Sequence, residues 1–257
     1  MGAQVVADVV YGHKDGLALT LDVYAPDVEA NGAGVLFVVS SGWVSEWQPP
    51  EVMAAWFERL LKRGFTVFAV RHGSCPRYSV TDALADVRRA ARFVRLHAGE
   101  YGVDPGRIGA TSYSAGAHLS LMTALTADEG EPDAEDPVER YGNRIAAVAA
   151  FCPPVDFTGE IPEVQRNVPL GELDALALSP IYQIHAGAPP ILLLVGDTDE
   201  FCPGVVRMHE SLKRAGVPAE LRVFEGGDHA FSNPDHKRDA EEAMAAWFER
   251  WLAVTRP

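Results

Sequence analysis

The sequence predicts an α/β fold: a mostly parallel central sheet with helices on both faces and an antiparallel amino-terminal edge. Three observations carry that prediction. Short apolar runs of strand length alternate with stretches of helical spacing along most of the chain, and crossover helices of this kind cover both faces of a parallel sheet. The earliest strands precede any helix, which places the antiparallel edge at the amino terminus. No internal repeat or linker divides the 257 residues, so residues 1–257 are expected to form one domain around a single core.

The elements follow in order. Leu17 to Tyr24 alternates apolar and polar residues, while Gly34 to Val39 is a continuous apolar run ending in Ser40-Ser41-Gly42. The first reads as a strand and the second as a buried central strand; this early pair is expected to make the antiparallel edge. After Pro49-Pro50, Glu51 to Lys62 carries helical spacing and stops at Gly64, a good end signal. Phe65 to Val70 is the next strand. From Thr81 the pattern turns helical, with Thr81 or Asp82 as cap and Ala83, Val87, Ala90, Ala91 and Val94 on one face. A strand over Arg107 to Tyr113 leads straight into a helix from Ala115 to about Leu125. Strands recur at Ile145 to Phe151, Pro190 to Gly196 and Glu220 to Phe224, with helices over Gly204 to Ala215 and Arg238 to Val254.

Two stretches break the rhythm. Asp128 to Glu139 crowds seven carboxylates among glycine and prolines, a composition for a solvated loop; its residues do not match an EF-hand calcium loop. Residues 158–178 lack clear periodicity and are expected to form either a small cap over the site or a surface excursion.

Composition excludes several classes of function. Lys plus Arg number 22 against 36 Asp plus Glu, a formal net charge of −14 that disfavours phosphate backbones and anionic lipid. Neither a nucleic acid nor a membrane is therefore an expected partner, and no run approaches the roughly 18 apolar residues of a membrane span. The first residues lack a basic patch followed by an apolar core, so no export signal is read. Cys75, Cys152 and Cys202 are too few and too scattered for a disulfide framework and form no CxxC pair. A reducing, cytoplasmic setting follows, and a cysteine nucleophile is disfavoured because none of the three sits in an activating turn.

The strongest local signal is Ile108-Gly109-Ala110-Thr111-Ser112-Tyr113-Ser114-Ala115-Gly116-Ala117-His118. A strand enters Ser-x-Ser-x-Gly and leaves as a helix, the context of a nucleophile elbow, in which a sharp turn lifts Ser114 above the sheet and needs small residues two before and two after. Gly116 satisfies this; Ser112 stands where glycine is usual. The turn also leaves the Ala115 N–H at a helix start, where it can face an oxyanion.

Near the carboxyl end the apolar strand Ile191 to Val195 runs into Gly196-Asp197-Thr198-Asp199-Glu200. Open α/β sheets gather their chemistry just past the carboxyl ends of parallel strands, and Asp199 is the expected acid, with Asp197 as its competitor or as a turn-former. After the last strand, Glu225-Gly226-Gly227-Asp228-His229 places a histidine on a glycine-rich loop. The chain order Ser114, Asp199, His229 is that of the hydrolase triad on such sheets. The turn Ser40-Ser41-Gly42-Trp43 ends the strand after which a second oxyanion donor is expected, either Gly42 or Trp43.

On these residues the chain resembles the α/β-hydrolase superfamily, specifically compact bacterial carboxylesterases whose relatives include hormone-sensitive-lipase-like, acetyl-xylan and feruloyl esterases. The resemblance runs from about Leu17 to the carboxyl end, most specifically over Arg107 to Leu121, Pro190 to Pro203 and Gly216 to Phe231. It implies Ser114 as nucleophile, His229 as base and Asp199 as acid. The family's usual His-Gly-Gly-Gly-Trp is here Val39-Ser40-Ser41-Gly42-Trp43, without the histidine. The expected activity is hydrolysis of short-chain or small acyl esters through an acyl-serine, with no metal or organic cofactor and a small-molecule ester as partner. Self-association is left open.

Alternatives are a peptidase or amidase of the prolyl-oligopeptidase type and a non-catalytic binder on the same fold. Trp43, Trp47, Tyr113 and Phe231 are candidates for the substrate pocket. His118 is expected to pack or hydrogen-bond behind the nucleophile, and Arg71 and His72 to anchor a loop more readily than to line the pocket.

Overall fold

The computed structural model describes residues 4–158 and 168–252. Eight strands form one sheet: β1 (Gln4–Lys14), β2 (Leu17–Ala25), β3 (Gly34–Val38), β4 (Thr66–Val70), β5 (Ile108–Tyr113), β6 (Ala147–Phe151), β7 (Ile191–Gly196) and β8 (Ala219–Phe224). Their order is β1-β2-β4-β3-β5-β6-β7-β8. Strands β3 to β8 pair in parallel, and β2 runs antiparallel to both β1 and β4.

The antiparallel edge is therefore present, but its members are β1 and β2. The Gly34 run sits mid-sheet, parallel to β4 and β5. β1 escapes a reading by alternation because most of it is exposed and its register shifts between Val6 and Val9 and between Val10 and Gly12; such irregularities break the two-residue period.

Among the described residues the α-helices are α1 (Pro50–Leu61), α2 (Val80–Leu96), α3 (Ser114–Leu125), α4 (Cys202–Arg214) and α5 (Pro234–Trp251). The cap of α2 is Ser79, two residues before Thr81 and three before Asp82: Ser79 Oγ accepts from Asp82 N–H at 3.1 Å and Asp82 Oδ2 accepts from Ser79 N–H at 2.9 Å, a reciprocal capping box that satisfies two free helix-end donors. α1 packs with α5, and α2 with α3. Alternation along β5 separates the two pairs: Thr111 reaches Met244 of α5 at 3.4 Å, while Ser112 faces Gly116 of α3. α3 is buried along nearly its whole length, as befits a helix wedged between sheet and neighbouring layer. Among the described residues no helix is long and apolar enough to cross a membrane.

The acidic loop is tied down. Arg89 pairs with Asp136 and Glu139 at 2.7 and 2.8 Å, and Arg92 with Asp128 at 2.6 Å, so α2 supplies cations to a segment that composition alone marks as solvated.

Residues 159–167 of the expected cap lie outside the described residues. The rest, 168–178, is a strap on α2: Pro169 and Leu170 carbonyls accept from Val80 and Thr81 N–H at 2.8 and 3.0 Å. Leu170 and Leu173 pack on the cluster of Trp43, Leu84, Phe157 and Leu178. None of residues 168–178 lines the cavity beside Ser114, which corrects the cap expectation for that part: Leu170 and Leu173 are spent on the cluster beneath them.

Candidate active site

Four neighbouring parallel strands each carry one chemically active side chain just past their carboxyl ends: Ser114 after β5, Cys152 after β6, Asp199 after β7 and His229 after β8. Sheet order alone thus lines up a hydroxyl, a thiol, a carboxylate and an imidazole along one edge.

Ser114 has φ +51, a left-handed conformation that costs a serine about 1–3 kcal/mol and persists only where the surroundings enforce it. They do so here. A Cβ on Gly116 would lie 2.2 Å from Ser112 Oγ and 2.5 Å from the Val38 carbonyl oxygen, so only glycine lets α3 approach β3 this closely. Ser112, in place of the usual glycine, donates its hydroxyl to the Val38 carbonyl at 2.6 Å. Its extra atoms occupy a bonded position, and the elbow keeps its shape.

The His229 loop is pinned against the end of β7. Thr198 Oγ1 donates to the Gly227 carbonyl at 2.7 Å, and a Cβ on Gly196 would lie 2.1 Å from that same oxygen. Asp197 Oδ1 accepts from Gly226 N–H at 2.7 Å, so this residue braces the turn and stands apart from the chemistry. His229 Nε2 then lies 3.0 Å from Ser114 Oγ, and its Nδ1 2.8 Å from Asp199 Oδ2.

The Asp199 side chain has no exposed surface, and its Oδ1 accepts from Phe201 N–H at 2.9 Å. With Oδ2 on Nδ1–H, Nε2 is left as the acceptor toward the serine hydroxyl. Burial of the ring pulls the His229 pKa down, but the Asp199 hydrogen bond and the neighbouring Cys152 sulfur outweigh it and leave it raised. Such a relay can move a proton from Ser114 Oγ to His229 while an aspartate steadies the imidazolium.

The residues expected as backbone donors have these settings. Ser41 and Val44 exchange two backbone hydrogen bonds of 2.9 Å around Gly42 and Trp43, whose φ values are +56 and +60, the signature of a tight I′ turn. Ala115 is the second residue of α3, whose first turn has no side-chain cap.

A cavity of about 580 Å³ opens beside Ser114, within the range of small-molecule sites. Tyr113 lines it. Trp43 and Phe231 are 1% and 3% exposed and do not line it. Trp43 points into the core against His118 and Phe157, and Phe231 packs among Tyr113, Phe151 and Phe224. Both expectations of a pocket role for these two side chains are corrected on that ground, and exposed Trp47 is absent from the wall as well.

Trp56 and Met53 of α1 and Lys237 of α5 stand in the wall instead. Lys237 Nζ sits 4.4 Å over the Trp56 ring, and Trp56 meets Tyr113 edge-on at 5.6 Å. Sequence reasoning missed these because they belong to helices remote from the motifs. Cys152 was missed as well, although the strand-end rule that found Asp199 applies equally to it.

A parallel sheet with an antiparallel edge, helices on both faces and a strained serine at a strand-to-helix turn define the α/β-hydrolase fold. The chain belongs to the BD-FAE family, whose model matches residues 21–212. It is 32% identical to the "Probable carboxylic ester hydrolase LipM" of Mycobacterium tuberculosis over 96% of this chain and 60% of LipM. Esterase LipQ of the same organism is 28% identical over 78% of this chain and 50% of its own length. The chain thus spans about half to three fifths of these curated relatives. Among solved structures it is similar to the apo form of Thermogutta terrifontis esterase 2, 29% identical with a TM-score of 0.81, covering 100% of this chain and 97% of that one. The same esterase phosphoramylated by tabun matches at 28% identity and a TM-score of 0.80, over 99% and 97% of the two chains.

Proposed function

We propose that this protein is a serine carboxylesterase that hydrolyses small acyl esters through an acyl-serine. One observation carries the reading: the unbroken hydrogen-bond path from Ser114 Oγ through His229 to buried Asp199, at 3.0 and 2.8 Å. His229 takes the proton as Ser114 Oγ attacks the ester carbonyl, and Asp199 stabilises the imidazolium. The Ala115 N–H and that of Gly42 or Trp43 receive the oxyanion. Collapse expels the alcohol with the proton returned by His229; water, deprotonated by the same ring, then releases the acid.

The likeness to an esterase that tabun modifies supports a serine reactive toward phosphorus electrophiles. The acidic balance of −14 supports a small-molecule partner over nucleic acid, and the free thiols Cys75, Cys152 and Cys202 support a cytoplasmic setting. Residues 1–257 are proposed to act as one domain.

A fluorophosphonate probe tests the assignment: it labels the wild type and leaves Ser114→Ala unlabelled. An unlabelled, folded wild type would refute it in favour of a binding module. Turnover of aryl esters is expected to exceed that of aminoacyl anilides, and the reverse order would make the protein a peptidase.

A further inference from the structure

Cys152 has no part in the hydrolysis described above, yet its position is unusual. It follows β6 directly, has φ +43, and is held there by its N–H donating to the Leu194 carbonyl at 2.7 Å. The residue is buried but its side belongs to the wall of the cavity beside Ser114. Its Sγ lies 3.4 Å from the His229 carbonyl oxygen. One donor atom each from Cys152, Asp199 and His229 lies within 4.8 Å of the others.

We infer that Cys152, Asp199 and His229 form a binding site for a thiophilic divalent cation of the zinc or cadmium kind, and that occupation switches the esterase off. Thiolate, carboxylate and imidazole are a ligand set such ions favour, and three protein ligands leave a fourth position for water on the cavity side. Charge also balances: a thiolate and a carboxylate cancel a divalent ion, so the filled site is neutral, as a buried place requires. Binding releases the Cys152 thiol proton to buffer, and the ring ligates as neutral imidazole: a neutral ring passes the N–H of its ligating nitrogen to the other nitrogen, and an imidazolium gives that proton to buffer. The ring that holds the metal loses the hydrogen bond to Asp199 or the one to Ser114. Metal and acyl transfer therefore exclude one another.

The binding half of this inference stands on geometry alone, while the inhibition half rests on the proposed esterase reading. The test uses the metal-free full chain. Zinc or cadmium chloride titrated by calorimetry is expected to bind one equivalent, and cobalt chloride to give a near-ultraviolet thiolate-to-cobalt band. Cys152→Ser loses that band and raises the half-inhibitory zinc concentration roughly tenfold or more relative to its own uninhibited rate. Ser114→Ala, inactive as an esterase, keeps both the stoichiometry and the band, so binding is read without activity. Cys75→Ser and Cys202→Ser also keep the band. A wild type without the band, a band that survives Cys152→Ser, or unchanged zinc sensitivity in that variant would overturn the site. Should Cys152→Ser fail to fold, loss of zinc binding in Asp199→Asn decides the same point, and undiminished binding there counts against it. A wild type that binds zinc and hydrolyses no ester leaves the metal site standing and defeats the esterase reading instead.

Discussion

Trp43 and His118 are joined inside the core, the indole Nε1–H donating to His118 Nδ1 at 3.2 Å. The other ring nitrogen donates to the Leu178 carbonyl at 2.8 Å, so both imidazole positions are used by one neutral tautomer. The bond ties the turn at Gly42 to α3 and to the strap end at Leu178. It holds both sides of the serine elbow without touching the cavity.

Burial pushes the His118 pKa down to about 4, the Leu178 hydrogen bond opposing only in part. A folded pKa below the unfolded one means that the unfolded chain takes up the proton first. The stabilisation is complete above the ordinary histidine value of about 6.5 and drains away as pH falls from there toward 4. Between about pH 7.5 and pH 5 the wild type should lose roughly 2 kcal/mol more than His118→Gln. Urea unfolding at both pH values measures it, and equal losses would show that His118 is not held neutral.

His229 carries a raised pKa, burial opposing the effects of Asp199 and Cys152. The proposed base works only when neutral, so kcat/KM should rise with pH along a limb lying above the ordinary histidine value. Asp199→Asn removes the partner that sets tautomer and basicity. It should move that limb to lower pH and reduce kcat by about 10³- to 10⁴-fold. A limb that stays put in the variant would assign it to another group.

Gly116→Ala places a Cβ where Ser112 Oγ and the Val38 carbonyl already stand, 2.2 and 2.5 Å away. β3 and α3 must separate, at a cost of about 1–3 kcal/mol. Both the thermal midpoint and kcat should fall, with the Ser112→Gly, Gly116→Ala pair partly recovering both because one of the two contacts is removed. No recovery would place the strain on the backbone carbonyl alone.

Trp56 gives the cavity an aromatic wall through its contacts with Tyr113 and Lys237. Trp56→Ala should lower kcat/KM for aryl and medium-chain acyl esters by roughly tenfold while acetyl esters, which do not reach the wall, change little. Equal losses for both classes would mean that Trp56 supports the fold of α1 and not substrate fit.

Arg71 clasps Asp22 with two hydrogen bonds of 2.7 and 2.9 Å, and the Asp22 side chain is only 1% exposed. Arg71, expected to anchor a loop, instead clamps the end of β4 to β2. Arg71→Leu strands a buried carboxylate and should cost about 3–5 kcal/mol in chemical denaturation, without altering KM in the protein that remains folded. A KM shift would bring Arg71 into the substrate path.

Motifs that act through their neighbours in the chain were readable early. The elbow around Ser114 needs a strand, a small residue at Gly116 and a helix, and all three lie within a dozen residues. Asp199 and His229 follow from strand ends, because a parallel sheet sends every such end to the same edge. The strand β1 was not readable, since an exposed, bulged edge carries no period.

Local sequence determined the parallel sheet, its helical layers and the three residues of the proposed relay, because periodicity and turn chemistry are short-range properties written into consecutive side chains. Tertiary structure alone decided which aromatics face the cavity. Trp43 and Phe231 turn inward while Trp56 and Lys237, 181 positions apart in the chain, arrive from two different helices. It likewise decided that Cys152 stands beside His229. Such contacts depend on sheet order and on the path of distant segments, and no spacing along the chain encodes a distance across the sheet.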